Sequence, residues 1–181
     1  MLAFLAVVMA SGRAATWARR ATLASVAAAL CVGTLLATGA GPVSAAEVTR
    51  AGYREAVEPI CLASTESNER ILAGVRSEVR AGKLQPAAAR FSRAARALKK
   101  TLRELRAVPG PPADRTRLSR WLQTLSVEAS LFERIAARLR AGQKAQAEKL
   151  VVKLTSNANR ANNQVIAFEF KYCRLEPARF T

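Results

Sequence analysis

Apolar side chains recur at every third or fourth position in four stretches of the chain, with polar side chains at most positions between them. This spacing places the apolar residues of each stretch on one face of a helix, as in helical bundles. The pattern therefore predicts an all-α domain of four helices. The positions on the four apolar faces are Cys61, Thr65, Asn68, Leu72, Val75 and Val79; Ala88, Phe91, Ala95, Leu98, Leu102 and Leu105; Leu118, Leu122, Leu125, Ala129, Phe132, Ala136 and Leu139; and Ala147, Val151, Leu154, Ala158, Ala161, Val165, Phe168 and Tyr172.

Glycine and proline residues fall between the predicted helices. Gly82 and Gly142 stand where helix C-caps are expected, and the proline-rich residues 109–112 cannot continue a helix. Connections this short make neighbouring helices antiparallel. The sequence thus predicts an antiparallel up-down-up-down four-helix bundle over residues 59–181.

A short internal similarity indicates how the bundle is organised. The letters RAGK at residues 80–83 are matched by RAGQ at residues 140–143, and each set falls between two predicted helices. We interpret this as a sign of two helical hairpins related by duplication and joined by the proline-rich linker.

The start of the bundle is marked by a proline. Pro59 suits the first turn of a helix, so we expect the first bundle helix to begin near Glu58. Residues 46–58 would then form a leading helical arm or a frayed tail.

Residues 1–45 have the features of an export signal. Arg19 and Arg20 precede an uncharged run at residues 21–40, and small residues follow at 43–46. We expect cleavage after residue 45 or 46, which would leave an extracellular, periplasmic or cell-envelope domain. The alternative is an uncleaved anchor, because a run of about twenty uncharged residues is long enough to span a membrane.

The order of the N-terminal residues bears on the start codon. An apolar stretch at residues 1–10 lies ahead of the basic residues, whereas a signal begins with its basic part. We therefore expect translation to start at Met9. If Met1 is the true start, the first residues simply lengthen the basic part of the signal.

The cysteines fit an exported protein. Cys31 would leave with the signal, so that Cys61 and Cys173 remain as an even pair. A disulfide between them is the expected state in an oxidising compartment. The start of the first helix and the end of the fourth lie at the same end of an up-down-up-down bundle, which agrees with such a bridge. The alternative is two buried free thiols.

The residue types argue against an enzyme. The chain contains no histidine, which removes the commonest general base and the usual zinc and haem ligands. No carboxylate occupies an apolar-face position, and the sequence has neither a glycine-rich phosphate loop nor a Ser-x-x-Lys pattern. We expect no catalysis, metal or cofactor. The acidic residues Glu66, Glu69, Glu128 and Glu133 are interpreted as surface ion-pair partners of Arg70, Arg134 and Arg138.

Basic charge is concentrated in one part of the chain. The net charge is +16, and residues 83–120 carry eleven basic and two acidic side chains. We define the basic stripe as four residues on one side of the second helix, Arg93, Arg96, Lys100 and Arg103. It is predicted to bind an anionic envelope polymer, lipid head groups or an acidic protein. Arg106, beyond the end of the stripe, is expected to bind the same partners. Alternatively, an arginine-rich composition simply produces a solvated basic face. Nucleic acid is disfavoured, because no aromatic side chains alternate with these arginines.

Polar residues also fall near the apolar faces. Asn68 lies on that of the first helix, while Asn157 and Gln164 lie close to Ala161 on the fourth. A buried pair of Asn68 with Gln164 could fix the register of the helices, as polar residues do in coiled coils. The alternatives are a polar-lined cavity for a small ligand and plain surface exposure.

Three features carry a family resemblance. The run YREAVEPIC at residues 53–61, the proline-rich linker and the pair Tyr172-Cys173 resemble a loose group of exported two-cysteine helical proteins of high-GC bacteria. The resemblance implies the disulfide and the bundle but no activity. We therefore predict a binding or structural module of the cell envelope that uses the basic stripe, with a small-ligand carrier as the alternative. The sequence leaves the oligomeric state open.

Overall fold

The computed structural model describes residues 47–176, which are almost entirely helical and contain no β-strand. The all-α expectation is confirmed. The predictions for residues 1–45, including the signal and the start codon, lie outside the described residues. The helices are α1 (Arg50–Leu72), α2 (Val75–Arg80), α3 (Leu84–Ala107), α4 (Arg115–Arg140) and α5 (Lys144–Gln164), with 3₁₀ turns at Pro112–Asp114 and Ile166–Phe168.

The core lies between the long helices. α3 packs against α1, α2 and α4, and α4 packs against α5. All the predicted apolar-face positions of α3 are buried, as are most of those on α4 and α5. The helical periodicity of the sequence therefore identifies the buried faces of α3, α4 and α5.

The first helix begins earlier than expected. α1 starts at Arg50 rather than near Glu58, because the side chain of Thr49 caps it by accepting a hydrogen bond from the backbone N–H of Gly52 at 3.1 Å. Pro59 lies inside the helix. The added turns bury Tyr53 and Val57 in the core, so this stretch is packed helix rather than a frayed tail.

The predicted first helix is also interrupted. α1 ends at Leu72, and Gly74 adopts a φ of 77°, in the left-handed region that glycine enters without steric cost. Val75 and Val79 therefore belong to the separate short helix α2.

The two similar tetrapeptides form the same turn. Gly82 and Gly142 have φ values of 72° and 71°, which confirms both as helix-ending residues. The backbone N–H of Lys83 donates to the carbonyl of Glu78 at 2.8 Å, and that of Gln143 donates to the carbonyl of Arg138 at 2.9 Å. The connections before α3 and before α5 are thus built alike, as expected for two related hairpins.

The last helix ends earlier than its apolar pattern suggests. α5 stops at Gln164, and a left-handed residue, Glu169, turns the backbone after the second 3₁₀ turn. Phe168 and Phe170 are both buried although they are only two positions apart, and a helix would point them to nearly opposite sides. Phe170 packs against Trp121 with ring centroids 5.5 Å apart. We call residues 165–176 the C-terminal segment.

The predicted disulfide is present. The sulfur atoms of Cys61 and Cys173 are 2.03 Å apart, and their Cα atoms are 4.9 Å apart. Cys173 belongs to the C-terminal segment rather than to the end of a fourth helix. The bond therefore fastens this segment to α1.

Candidate functional site

The helices leave an opening between α1 and α5. α1 packs on α3 and α5 packs on α4, but α1 and α5 do not pack closely against each other within residues 47–176. A cavity of about 490 Å³ occupies this region, lined by residues of α1, α3, α4, α5 and the C-terminal segment. Its volume is within the usual range for small-molecule sites.

The C-terminal segment is held on both sides. Beyond the disulfide to α1, the carboxylate of Glu58 accepts hydrogen bonds from the backbone N–H groups of Lys171 and Tyr172. On the α5 side, Asn162 exchanges two hydrogen bonds with the backbone of Leu175, at 2.9 and 2.8 Å. The segment thus forms a fixed wall of the cavity.

The cavity combines apolar and polar walls. Leucine and phenylalanine side chains of α3, α4 and α5 form the apolar part: Leu98, Leu105, Leu125, Phe132 and Leu154. The polar part includes the hydroxyls of Thr101 and Ser64, joined by a 3.0 Å hydrogen bond. Predominantly apolar walls with a few placed polar groups are typical of ligand sites.

Glu128 is the most unusual residue of the cavity. It lies on α4, only 4% exposed, and its Oε2 atom accepts a hydrogen bond from Nδ2 of Asn157 at 3.3 Å. The same Nδ2 donates to the carbonyl of Thr124 at 3.0 Å. Burial raises the pKa of Glu128 to about 7, although the Asn157 hydrogen bond opposes the rise. A buried carboxyl that titrates near neutrality is common at functional sites.

The interpretation of Glu128 as a surface ion-pair residue is therefore wrong. α4 packs on both α3 and α5, so its buried face is wider than one line of apolar positions. Glu128 falls within that wider face, halfway between buried Trp121 and Ile135 at a spacing of seven residues. This spacing is the sequence signal that could have identified it. Glu133, by contrast, does form a surface ion pair, with Lys99.

Two buried polar atoms on cavity-lining residues lack partners. Oδ1 of Asn68 and Nε1 of Trp121 form no hydrogen bond with any residue in the described range. Trp121 is 1% exposed. An unsatisfied buried polar group costs about 1–3 kcal/mol, so such atoms call for an explanation. Both atoms are covered by neighbouring groups, so a ligand with its own donor and acceptor would satisfy them once the Asn68 and Trp121 side chains turn toward the cavity.

Asn157 and Gln164, which were also expected near a polar cavity, are not among the residues that line it. Asn157 does not line the cavity but orients Glu128. The expected hydrogen-bonded pair of Asn68 with Gln164 does not form, since Oδ1 of Asn68 and Oε1 of Gln164 both lack a hydrogen-bond partner among the described residues. Gln164 faces a different depression, beside Asp114 and Arg117.

The basic stripe lies on the solvent side of α3. Arg93, Arg96, Lys100 and Arg103 are all exposed. Lys100 pairs with Glu104 at 2.8 Å, whereas no carboxylate of residues 47–176 is within ion-pair distance of the three arginines. Arg106 is turned toward α4, where it donates a hydrogen bond to Oγ of Ser126 at 2.8 Å. The stripe proper therefore consists of the four residues first named.

Other kinds of site are not found in this part of the chain. Between residues 47 and 176 there is no group of three or more residues able to hold a metal ion. No helix in that range has the length and apolar character needed to cross a bilayer.

Comparison with protein family models, curated proteins and solved structures gave no match. The cavity and the basic stripe are therefore the two candidate sites of the described residues.

Proposed function

We propose that the protein is an exported binding module of the cell envelope, and that its cavity carries a small ligand. The observation behind this proposal is the pair of unpartnered buried atoms, Oδ1 of Asn68 and Nε1 of Trp121, on the walls of one cavity with Glu128. Apolar walls supply the driving force for binding, and these polar groups would orient the ligand. The proposal assigns no catalytic step.

The location and the helix directions belong to the same proposal. A disulfide is typical of oxidising compartments, and an export signal at residues 1–45 would deliver the chain to one. The resemblance to exported two-cysteine helical proteins of high-GC bacteria supports this location. The four long helices are proposed to run alternately up and down, which is supported by the matching tight turns at Gly82 and Gly142.

Replacing Asn68 with leucine tests the carrier proposal. A library of small compounds should contain ligands that raise the Tm of the protein, and high salt should not abolish the rise. For a ligand that uses Oδ1 of Asn68, N68L should weaken binding by about tenfold, since a lost hydrogen bond costs about 1 kcal/mol or more. Thermal shift and calorimetric titration provide the measurement.

The matched control is N159L, which changes an exposed asparagine of α5 in the same way. It should bind these ligands like the unchanged protein. The carrier proposal fails if no compound raises the Tm, or if every ligand binds N68L and the unchanged protein equally well.

The basic stripe supports a second candidate function, the docking of anionic partners. Its arginines Arg93, Arg96 and Arg103 are exposed and without ion-pair partners among the described residues. Unpaired cations on one helix side concentrate positive potential, which attracts an anionic polymer, lipid head groups or an acidic protein.

Neutralising the basic stripe tests this second function. The variant R93Q/R96Q/K100Q/R103Q should bind anionic vesicles at least about tenfold more weakly at low salt, since each basic residue near such a surface contributes about 1 kcal/mol. The binding of the unchanged protein should itself weaken steeply with salt. Vesicle co-sedimentation measures both effects.

An equal loss of charge elsewhere provides the control. K144Q/K149Q/K153Q/R160Q removes four exposed basic residues of α5, so its net charge equals that of the stripe variant. It should retain most of the binding. If the two variants lose binding equally, the attraction depends on total charge and the basic stripe is not a docking site.

A further inference from the structure

We infer that the ligand carried in the cavity is a small organic cation, an ammonium group attached to an apolar body, and that Glu128 pairs with the ammonium. This inference rests on the proposed carrier function and names the class of ligand. It is drawn from the charges that line the cavity, the open hydrogen-bonding positions and the aromatic walls.

The charges around the cavity are opposite to those of the chain as a whole. The chain has a net charge of +16, yet four carboxylates and only two basic side chains line the cavity. The lining residues other than Glu128 that carry charge are Glu66 and Glu69 on α1 and Lys171, Arg174 and Glu176 in the C-terminal segment. The other five charged side chains of the lining are exposed, so Glu128 is the buried charge-bearing group that a ligand in the cavity would meet.

The other carboxylates of the lining differ from Glu128 in their surroundings. Glu66 pairs with Arg70 at 3.9 Å on the surface of α1, and Glu69 and Glu176 have interactions of their own. Glu128 forms no ion pair with any lysine or arginine of the described residues and is buried. A buried carboxylate without a cationic partner is costly, and a ligand cation would remove that cost.

The hydrogen-bonding positions fit an ammonium group. Asn157 donates to Oε2 of Glu128, while Oε1 receives no hydrogen bond from the described residues. Oδ1 of Asn68 is a second acceptor without a donor. An ammonium carries three donors and no acceptor, so it matches these oxygens better than a carboxylate would.

Aromatic side chains complete the site. Trp121 and Phe132 line the cavity together with leucines of four helices. Aromatic rings attract cations through their faces and also accommodate apolar bodies. The ligand should therefore bear an apolar group beside its charge, as phenethylamine does.

Binding of a cation should change the protonation of Glu128. Because burial raises its pKa to about 7, the carboxyl is largely protonated at pH 6, and pairing with an ammonium would ionise it. The titratable groups that face the cavity from neighbouring elements are Glu66, Glu69, Lys171, Tyr172, Arg174 and Glu176, while α3 and α5 contribute none. A proton released on binding at pH 6 should therefore come from Glu128.

The test compares three ligands with the same skeleton by calorimetric titration of the full-length protein at pH 6. Phenethylamine should bind at least about tenfold more tightly than its neutral counterpart 2-phenylethanol or the anion 3-phenylpropanoate. Titrations in two buffers of different ionisation enthalpy should show the release of nearly one proton with phenethylamine, and almost none at pH 8.5.

Two variants assign the effect to Glu128. E128Q keeps the shape of the protonated side chain, so it should fold, bind 2-phenylethanol and lose both the preference for the amine and the proton release. E133Q, altered at a surface ion pair, should behave like the unchanged protein. If 2-phenylethanol or 3-phenylpropanoate binds as tightly as the amine, or if E128Q keeps the amine preference, the cation inference is overturned while the carrier proposal stands. If none of the three binds, the cation inference is overturned, and the carrier proposal is decided separately by the compound library.

Discussion

Removing the disulfide between Cys61 and Cys173 should lower the free energy of unfolding by about 4 kcal/mol. The bond joins residues 112 positions apart, and closing a loop of that length restricts the unfolded chain by about 4–5 kcal/mol in the chain-entropy model. The variant C61A/C173A should accordingly show a Tm lower by roughly 10–20 °C. Urea unfolding followed by circular dichroism measures the free energy, and calorimetry measures the Tm.

A reducing agent supplies the control for this experiment. Reduction should destabilise the unchanged protein to a similar extent, and it should have no effect on C61A/C173A, which has no bond to break. Equal urea midpoints for the oxidised protein and the variant would contradict the expected constraint on the unfolded chain.

Raising the pH from about 4.5 to 8 should remove about 3 kcal/mol of stability through Glu128 alone. Its pKa is about 7 in the fold against an ordinary value of 4.5, because burial disfavours the charged form. Its contribution is therefore complete below about pH 4.5 and is lost as the pH rises through 7, since the folded state binds more protons than the unfolded state in this interval. The difference between the two pKa values corresponds to about 3 kcal/mol.

Comparison with E128Q isolates this effect. Glutamine cannot ionise, so the stability of E128Q relative to the unchanged protein should rise by about 3 kcal/mol across the same pH range. E133Q, altered at the exposed partner of Lys99, should follow the unchanged protein at every pH. Parallel stability curves for E128Q and the unchanged protein would show that Glu128 has an ordinary pKa.

The apolar pattern predicts the buried positions more completely on some helices than on others, and the reason is physical. On α3, every position expected to be buried is buried. α4 packs against both α3 and α5, so its buried face is wider and includes Trp121, Glu128 and Ile135. The single line of apolar positions predicted for this helix does not contain these three residues. Periodicity therefore works best for a narrow buried face and misses residues where two neighbours cover one helix.

The ends of α1 and α5 could not be derived from local signals. Pro59 suggested a helix start near Glu58, but burial of Tyr53 and Val57 extends the helix to Arg50. The apolar pattern after Gln164 suggested more helix, but packing of Phe168 and Phe170 requires a turn. In both cases contacts with distant parts of the chain outweigh local preference.

The sequence predicts only some of the residues that form the candidate site. Asn68 was selected because a polar residue on an apolar face is unusual, and it lines the cavity. The sequence does not identify Glu128 as a cavity residue, because the nearby arginines favour its interpretation as a surface ion-pair partner. The wall formed by the C-terminal segment depends on contacts between residues more than a hundred positions apart, which no local pattern records.

The wall formed by the C-terminal segment comes late in the described part of the chain. All five helices of the described residues precede Tyr172, Cys173 and Leu175 in the chain, and these three residues line one side of the cavity. A chain whose thiols are still reduced lacks the link between this wall and α1. Under the carrier proposal, the site would be complete only after oxidation, and its ligand would be one encountered after that step rather than one present where the chain is made.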